Sequence, residues 1–451
     1  MRVLFRTFGC KANQYDTERM RQELEALGAL SAEGAQGAQL CVVNTCTVTN
    51  QADADARRFI RRVRRENPEI GVVVAGCSSA LDPQTYREMD GVVAVVEGHN
   101  PMEVARVTLS GADGVGCRPG QAVGSPPPLV HLEPRVSLED MDEEPVGGKL
   151  LLRREGGTRG WLKIQDGCDR KCSFCATRLA RGESRSRDSK ELISEAMLLA
   201  ETHPELVLTG IHIGHYGRDL EDGSTLSSLV ALLLEKVPRV RFRLGSIEAT
   251  EVDDLLLDLL GSSEGWLAPH LHMPMQSGSD PILRSMRRWH SREMYRSRAL
   301  ELVDRFPVMG LGADVITGFP GETEEDHAST VALVDELPFT YLHVFPFSPR
   351  AGTLATSLPN PVPQRVAGER SRELRELALE KGTSYRQGRV GSVASVVLEG
   401  AGGWALTEDY LRVEATSPQE DGAGAAPRIL QGKLQGSGEH LYIDLSQAFL
   451  N

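Results

Sequence analysis

The chain has 451 residues, of which 40% are hydrophobic and 25% charged, enough to bury two or three separate cores. Its net charge of −13 excludes a protein coated in basic surface and leaves any nucleic-acid affinity to local patches. No run of about 18 uninterrupted apolar residues exists, which argues against a membrane span.

The first residues, MRVLFRTFGCKANQYDTE, have no long apolar stretch of the secretory type, so a cytoplasmic protein is expected. In that compartment eight cysteines read as ligands or thiols rather than disulfides. From residue 1 to about 115, strand-like runs (VLFRTF, LCVVNTC, GVVVAGC, VVAVVEG) alternate with helical stretches at Tyr15 to Leu27 and Ala52 to Glu66. Such alternation predicts a parallel α/β domain, which we bound at 1–117. Periodicity lapses over 118–157 (SPPPLV, LEDMDEE, then GG), a linker. Six further strand candidates follow, WLKIQ, ELVLTGIHI, VRFRLGSI, HLHMPM, GADVITGF and YLHVFPF. Helical stretches separate them, at Lys190 to Glu201, Leu226 to Val237 and Glu251 to Leu260, and a long Arg/Glu-rich helix starts near Pro361. This predicts a partial or complete (β/α) barrel over 158–383, with its chemistry at the C-terminal strand ends. From 384 to 451, GSVASVVLE, GWALTEDYLRVEA, GKLQG and EHLYIDL between Gly-rich turns predict a small antiparallel β barrel, with SPQEDGAGAAP as a loop inside it.

Cys168, Cys172 and Cys175 stand at C-x3-C-x2-C spacing directly after the first barrel strand. Three soft thiolates suit a [4Fe–4S] cube whose fourth iron is left open for a ligand. Structural zinc would want a fourth Cys or His close by, and the nearest downstream histidine is His203. Cys10, Cys46 and Cys77 each follow a predicted strand, and in a parallel sheet neighbouring strand ends converge. They form either a second three-thiol site or three buried cysteines packed as small hydrophobes. Cys41 and Cys117 are expected to be ordinary.

The motifs GCKxNQYDTE, NTCTVT and AGC, then GCxxxCxxC with ARGxxxSR, resemble those of the radical S-adenosylmethionine methylthiotransferases. The resemblance continues through HxPxQSGS (His272 to Ser279) and DVITGFPGET (Asp314 to Thr323) into the C-terminal β run. NQYDTE and TGIHIGHYG resemble the branch acting on threonylcarbamoyladenosine in tRNA; sister branches act on isopentenyladenosine or on a ribosomal-protein aspartate. The resemblance implies two [4Fe–4S] clusters and S-adenosylmethionine. Cys168, Cys172 and Cys175 would hold the radical cluster, and Cys10, Cys46 and Cys77 an auxiliary cluster that delivers sulfur. A 5′-deoxyadenosyl radical would take hydrogen from C2 of the adenine, and a second S-adenosylmethionine would supply the methyl group. The C-terminal domain would be a TRAM-like RNA-binding barrel. A tRNA anticodon stem-loop is the implied substrate and a flavodoxin or ferredoxin the implied electron donor, with neither DNA nor membrane as partner. The chain departs from the family pattern after Cys175, where Ala176, Thr177 and Arg178 replace apolar residues and a proline. An iron–sulfur RNA-binding protein without catalysis is the rival of another class.

Further residues follow from their loops. Gln276 and Ser277 in the QSGS turn, Gly318 after the fifth barrel strand and Glu248 after the third are expected at the cofactor. Turn geometry and helix capping explain the same residues without a ligand. His212 and His215 are not expected to bind metal, since six cysteines supply the sites. Arg178, Arg181, Arg185 and Arg187 are expected to grip RNA, which such enzymes take from loops. Arg57, Arg58, Arg61, Arg62, Arg64 and Arg65 read as a solvated helix face or a phosphate contact.

Overall fold

The computed structural model describes residues 1–114, 150–152, 154, 157–399, 403–416 and 429–450, with side chains at 111–114 and 446–450 left aside. The linker expected at 118–157 lies almost wholly outside the described residues, as do Cys117 and the SPQEDGAGAAP loop. The described residues form two compact units. One holds those of Met1–Leu151 with Asp166–Asp169 and Cys175–Arg187; the other holds those of Leu152–Gln165, Arg170–Phe174 and everything from Asp188.

The first unit runs β1 (Arg2–Thr7), α1 (Lys11–Ala26), β2 (Leu30–Ser31), β3 (Leu40–Thr45), α2 (Asn50–Glu66), β4 (Gly71–Gly76), α3 (Cys77–Leu81), α4 (Pro83–Arg87), β5 (Val92–Val95) and α5 (Pro101–Gly114). All pairings are parallel, in the order β2-β1-β3-β4-β5. LCVVNT and GVVVAG are buried along their whole length because both sheet faces are covered. Val42 and Val73 point to one core with Met20, Leu24 and Val104, and Val43, Val72 and Val74 to the other with Ile60 and Val63. Cys41 sits in the second core, where burial pushes its thiol up to about 12. Thr49 caps α2 by accepting from the Ala52 amide, and Ala56, Ile60 and Val63 bury one stripe of that helix.

After β6 (Gly160–Lys163) and β7 (Gln165–Asp166) come the short helix α6 (Thr177–Arg181) and β8 (Arg185–Ser186); these last two belong to the first unit. The second unit continues with α7 (Ser189–Ala200), β9 (Glu205–Thr209), α8 (Leu226–Lys236), β10 (Arg241–Leu244), α9 (Asp254–Ser262) and β11 (His270–His272). Then follow α10 (Asp280–Ser285), α11 (Arg292–Arg305), β12 (Gly310–Thr317), α12 (Glu324–Glu336), β13 (Tyr341–Pro346) and α13 (Gln364–Arg389). The parallel ladders β6-β9-β10 and β11-β12-β13 are joined by bridges at Phe242–Leu267 and Ser246–His272. The result is a six-stranded partial barrel, with no ladder from β13 back to β6 among the described strands.

The C-terminal strands β14 (Val393–Glu399), β15 (Trp404–Thr407), β16 (Arg412–Thr416), β17 (Leu430–Gly436) and β18 (Leu441–Leu450) close into a barrel. It departs from the antiparallel expectation in one ladder, β16 with β18, which is parallel. This barrel packs under the N-terminal strand ends of the larger one. Buried Glu205 accepts from Arg241 (2.7 Å) and Arg243 (2.8 Å), while Arg243 also donates to the Glu408 and Thr407 carbonyls and Arg241 to Ser395. Arg159 adds a third cation at 3.7 Å, and three cations around one carboxylate are tolerable in a core only with this density of partners.

Candidate metal centres and barrel lumen

β1, β3 and β4 are neighbours, and their C-terminal ends carry Cys10, Cys46 and Cys77. The structure brings the three thiols together. A Cβ built on Gly9 would lie 2.5 Å from the Cys46 Cβ and 2.6 Å from its Sγ. Gly9 also has φ +106°, so only glycine lets the loop after β1 pass Cys46. Asn13 Oδ1 accepts from Cys10 Sγ (3.5 Å) and Cys77 Sγ (3.7 Å), while its Nδ2 donates to the Thr45 carbonyl at 2.7 Å. One amide thus ties all three strand-end loops. Burial pushes the Cys46 thiol up to about 12 and the Cys77 thiol to about 11; neighbouring Cys10 raises both. A cation that replaces those protons is the group such a pocket fits.

Arg181, expected at RNA, is instead fully buried within the first unit, held by Asp166 (2.9 and 3.1 Å), Asp16 (2.7 Å) and Asn13 (2.8 Å). Its Nε donates to Cys77 Sγ at 3.1 Å. Burial works against its charge, but Asp166, Cys77 and Asp16 outweigh that cost. His99 completes the group through Asp166 at 2.8 Å. Arg187 is buried as well and donates to the Tyr15 hydroxyl at 3.2 Å. Neither guanidinium is presented to a phosphate. Arg178, beside Glu183 at 3.5 Å, and half-buried Arg185 keep surface to offer.

The radical-type cysteines lie on a loop whose length keeps them close: six residues separate Cys168 from Cys175. In the first unit the Cys168 amide donates to the Gly182 carbonyl (3.1 Å), and Cys175 Sγ accepts from the Thr177 amide (3.4 Å). In the second unit Cys172 Sγ lies 3.7 Å from Nη1 of Arg288, which also pairs with Glu248 and donates to the Pro274 carbonyl (3.2 Å). Burial raises the Glu248 carboxyl, and Arg288 opposes it. Both three-thiol sets therefore have cationic donors at a sulfur, the setting in which iron–sulfur ligands are stabilised.

Packing accounts for two residues expected at the cofactor. Ser277 is buried against Thr330 (3.3 Å) and accepts from the Ser279 amide. Gly318 has φ +71°, and a Cβ there would lie 2.3 Å from that of Ala367. Gln276, at φ +66° with its backbone bonded to Asp314, and Glu248 are both buried beside the ends of barrel strands. His212 and His215 gather on Glu251 at 2.9 and 3.3 Å, but Arg170 shares that carboxylate at 3.3 Å.

Sequence reasoning named no residue of the barrel lumen as a site. On β11, β12 and β13 the alternation sends Leu271, Leu311, Ala313, Val315 and Val344 into the core. His272, Asp314, Tyr341 and His343 take the other face. Asp314 accepts from His272 Nε2 (3.1 Å) and His343 Nδ1 (3.2 Å), and the Tyr341 hydroxyl bonds His272 Nδ1 (3.1 Å) and His270 Nε2 (2.9 Å). Burial raises the Asp314 carboxyl, yet the two imidazoles hold it well below the carboxylate range.

In the first unit the exposed arginines of α2 line a groove of about 1210 Å³ with Arg6, Phe8 and Phe59. Arg58, Arg61, Arg62 and Arg65 face it, with Asp55, Glu88 and Asp90 on its wall. Among the described residues no helix is long and apolar enough to cross a membrane.

Residues 2–98 match the family described as Uncharacterized protein family UPF0004, and residues 162–334 match the Radical SAM superfamily. The threonylcarbamoyladenosine tRNA methylthiotransferase MtaB of Bacillus subtilis (strain 168) is 35% identical over 410 residues, 88% of this chain and 85% of that protein. Its namesake in Aquifex aeolicus is 32% identical over 434 residues, 94% of this chain and 98% of that one. A tRNA-2-methylthio-N(6)-dimethylallyladenosine synthase of Oceanobacillus iheyensis is 30% identical, covering 88% of this chain and 75% of its own. Among solved structures, the radical S-adenosylmethionine methyltransferase TsrM of Kitasatospora setae shares the fold at TM-score 0.54 and 18% identity, over 76% of this chain and 74% of that one. With two three-thiol sets in one chain and relatives of this closeness along most of its length, the chain belongs to the radical S-adenosylmethionine methylthiotransferases.

Proposed function

We propose that the protein places a methylthio group at C2 of N6-threonylcarbamoyladenosine beside the anticodon of tRNA. The observation that carries this is the meeting of Cys10, Cys46 and Cys77 in a chain that also bears a C-x3-C-x2-C loop. Making a radical needs one cluster; a second three-thiol pocket fits a source of sulfur. The branch is favoured by relatives of that name at 31% to 35% identity. We further read 1–117 as the sulfur-donor domain, 158–383 as the radical domain and 384–451 as an RNA-binding barrel. The cytoplasm is the expected compartment and a flavodoxin- or ferredoxin-type protein the expected electron donor.

Cys168, Cys172 and Cys175 would hold the radical cluster, and Cys10, Cys46 and Cys77 the auxiliary one. When bound, the two clusters supply reductive cleavage of S-adenosylmethionine and the sulfur atom, respectively. The C2–H bond is out of reach of any side-chain base at neutral pH, so the protein's own residues bind, orient and shield. Arg288 brings positive charge to Cys172, and Arg181 does the same for Cys77. Gln276 and Glu248 would face S-adenosylmethionine, and Arg178 and Arg185 the anticodon loop.

Anaerobically reconstituted protein should hold about eight irons per chain, four per cluster. Replacing Cys10, Cys46 and Cys77 with alanine should leave about four, with 5′-deoxyadenosine still released and no methylthiolated nucleoside formed. Wild-type protein that never releases 5′-deoxyadenosine would be a binder, not this enzyme. Unchanged 2-methylthio-threonylcarbamoyladenosine in tRNA from a deletion strain would reject the branch.

A further inference from the structure

Barrel interiors of this kind are ordinarily packed with branched apolar side chains. Here the inner face of β11 to β13 carries His272, Asp314, Tyr341 and His343, and it is open. The side chains of Asp314, on the central strand of its ladder, and His343, on the edge strand β13, are 26% and 55% exposed. His343 is pinned through Nδ1 to Asp314, so its ring direction is set while Nε2 has no hydrogen-bond partner among the described residues. Nε2 accepts when the ring is neutral and donates when it is protonated. Phe345, two residues further on the same face, adds an exposed ring 6.3 Å from that of His343.

The row also lies on strands whose ends reach a radical-cluster ligand. Two residues past His272, the Pro274 carbonyl accepts from Arg288, the residue beside Cys172. The C-terminal end of β11, the strand that carries His272, therefore lies beside one radical-cluster ligand.

We propose that His343, oriented by Asp314 and His272 and backed by Phe345, reads the N6 substituent of the target adenine. It selects a substituent bearing ureido, hydroxyl or carboxylate groups over an apolar one. This rests on the reading of the chain as an adenine methylthiotransferase. A ureido N–H meets the lone pair of neutral Nε2, and a carboxylate meets the protonated ring. An alkyl substituent in the same place strips water from the Asp314–His343 pair and returns no hydrogen bond. Sites built to hydrogen-bond a substrate group reject analogues lacking it far more strongly than apolar pockets reject added polarity.

The test uses the reconstituted holoenzyme and two anticodon stem-loop RNAs, one with threonylcarbamoyladenosine and one with dimethylallyladenosine. The readout is the ratio of kcat/KM for methylthio product between the two. His343→Phe should lower that ratio by about tenfold or more, the loss of one buried hydrogen bond, with iron content and cluster absorption as in the wild type. His343→Gln, which keeps a polar tip, should lower it less. Equal losses on both RNAs in the two variants, leaving the ratio within about twofold of wild type, would overturn the proposal while the enzyme assignment stands. So would stoichiometric cobalt binding to the holoenzyme that His343→Phe abolishes without moving the ratio, which would make the row a metal site. Wild-type enzyme inactive on both RNAs would remove the premise itself.

Discussion

The Nε of Arg181 stands 3.1 Å from the Sγ of Cys77, with Asp16 and Asp166 holding the rest of its guanidinium. Arg181 lies six residues past Cys175, so one short helix leads from the radical loop to a thiol of the other site. A buried cation donating to a ligand sulfur favours the more negative, reduced state of the metal centre. Arg181→Gln should lower the reduction potential of the N-terminal cluster, read by redox titration followed by EPR, with the radical cluster's potential moving less. It should also cost on the order of 3 to 5 kcal/mol of stability, because two carboxylates lose their counter-charge. A variant of unchanged potential would make Arg181 a purely structural residue.

Gly9→Ala isolates the N-terminal site by sterics. The new methyl needs space held by the Cys46 Cβ and Sγ, at a φ that L side chains rarely adopt. Iron should fall from about eight to about four per chain, and the lost signal should be that of the N-terminal cluster. Full iron content would mean that the loop after β1 can be redrawn around Cys46.

The arginine groove of α2 is weighed by salt. Wild-type affinity for tRNA should fall with rising ionic strength. Replacing Arg61, Arg62 and Arg65 with serine should reduce the slope of log K against log salt by about 1 for each phosphate left without its arginine. An unaltered slope would assign those side chains to solvent.

His290 gives the pH dependence. Burial, then the charge of Arg288, pulls its pKa from 6.5 down to about 4. The unfolded chain binds that proton more readily. The contribution to stability is therefore full above about 6.5 and is lost as pH falls toward 4, on the order of 3 kcal/mol at most. Between pH 8 and 5 the wild type should lose stability more steeply than His290→Asn in denaturant unfolding; parallel curves would contradict this.

What could be read from sequence followed the period of the elements. WLKIQ, ELVLT and the other barrel runs are strands because their apolar content and spacing leave no other burial pattern. Cys10, Cys46 and Cys77 were legible as a set because parallel order places adjacent strand ends together. Arg181 was not, since Asp16 lies 165 residues away and a lone arginine in a polar loop reads as exposed. Asn13 stands in the NQYDTE motif, but its three-loop role depends on partners as distant in sequence as Thr45 and Cys77. The lumen row escaped for a related reason: His272, Asp314 and His343 each sit in an apolar strand context, and only the register of β11 to β13 aligns them.

Arg241 and Arg243, both paired with Glu205, limit how this architecture can be rearranged. Arg243 finds acceptors in the Thr407 and Glu408 carbonyls, and Arg241 in Ser395, all beyond α13. A chain cut after residue 389 would strand two guanidiniums at the foot of the larger barrel with one carboxylate between them. The C-terminal barrel is thus no interchangeable cassette. A donor domain grafted from another RNA-binding protein would have to present main-chain carbonyls at the same two places, or the catalytic barrel would lose its floor.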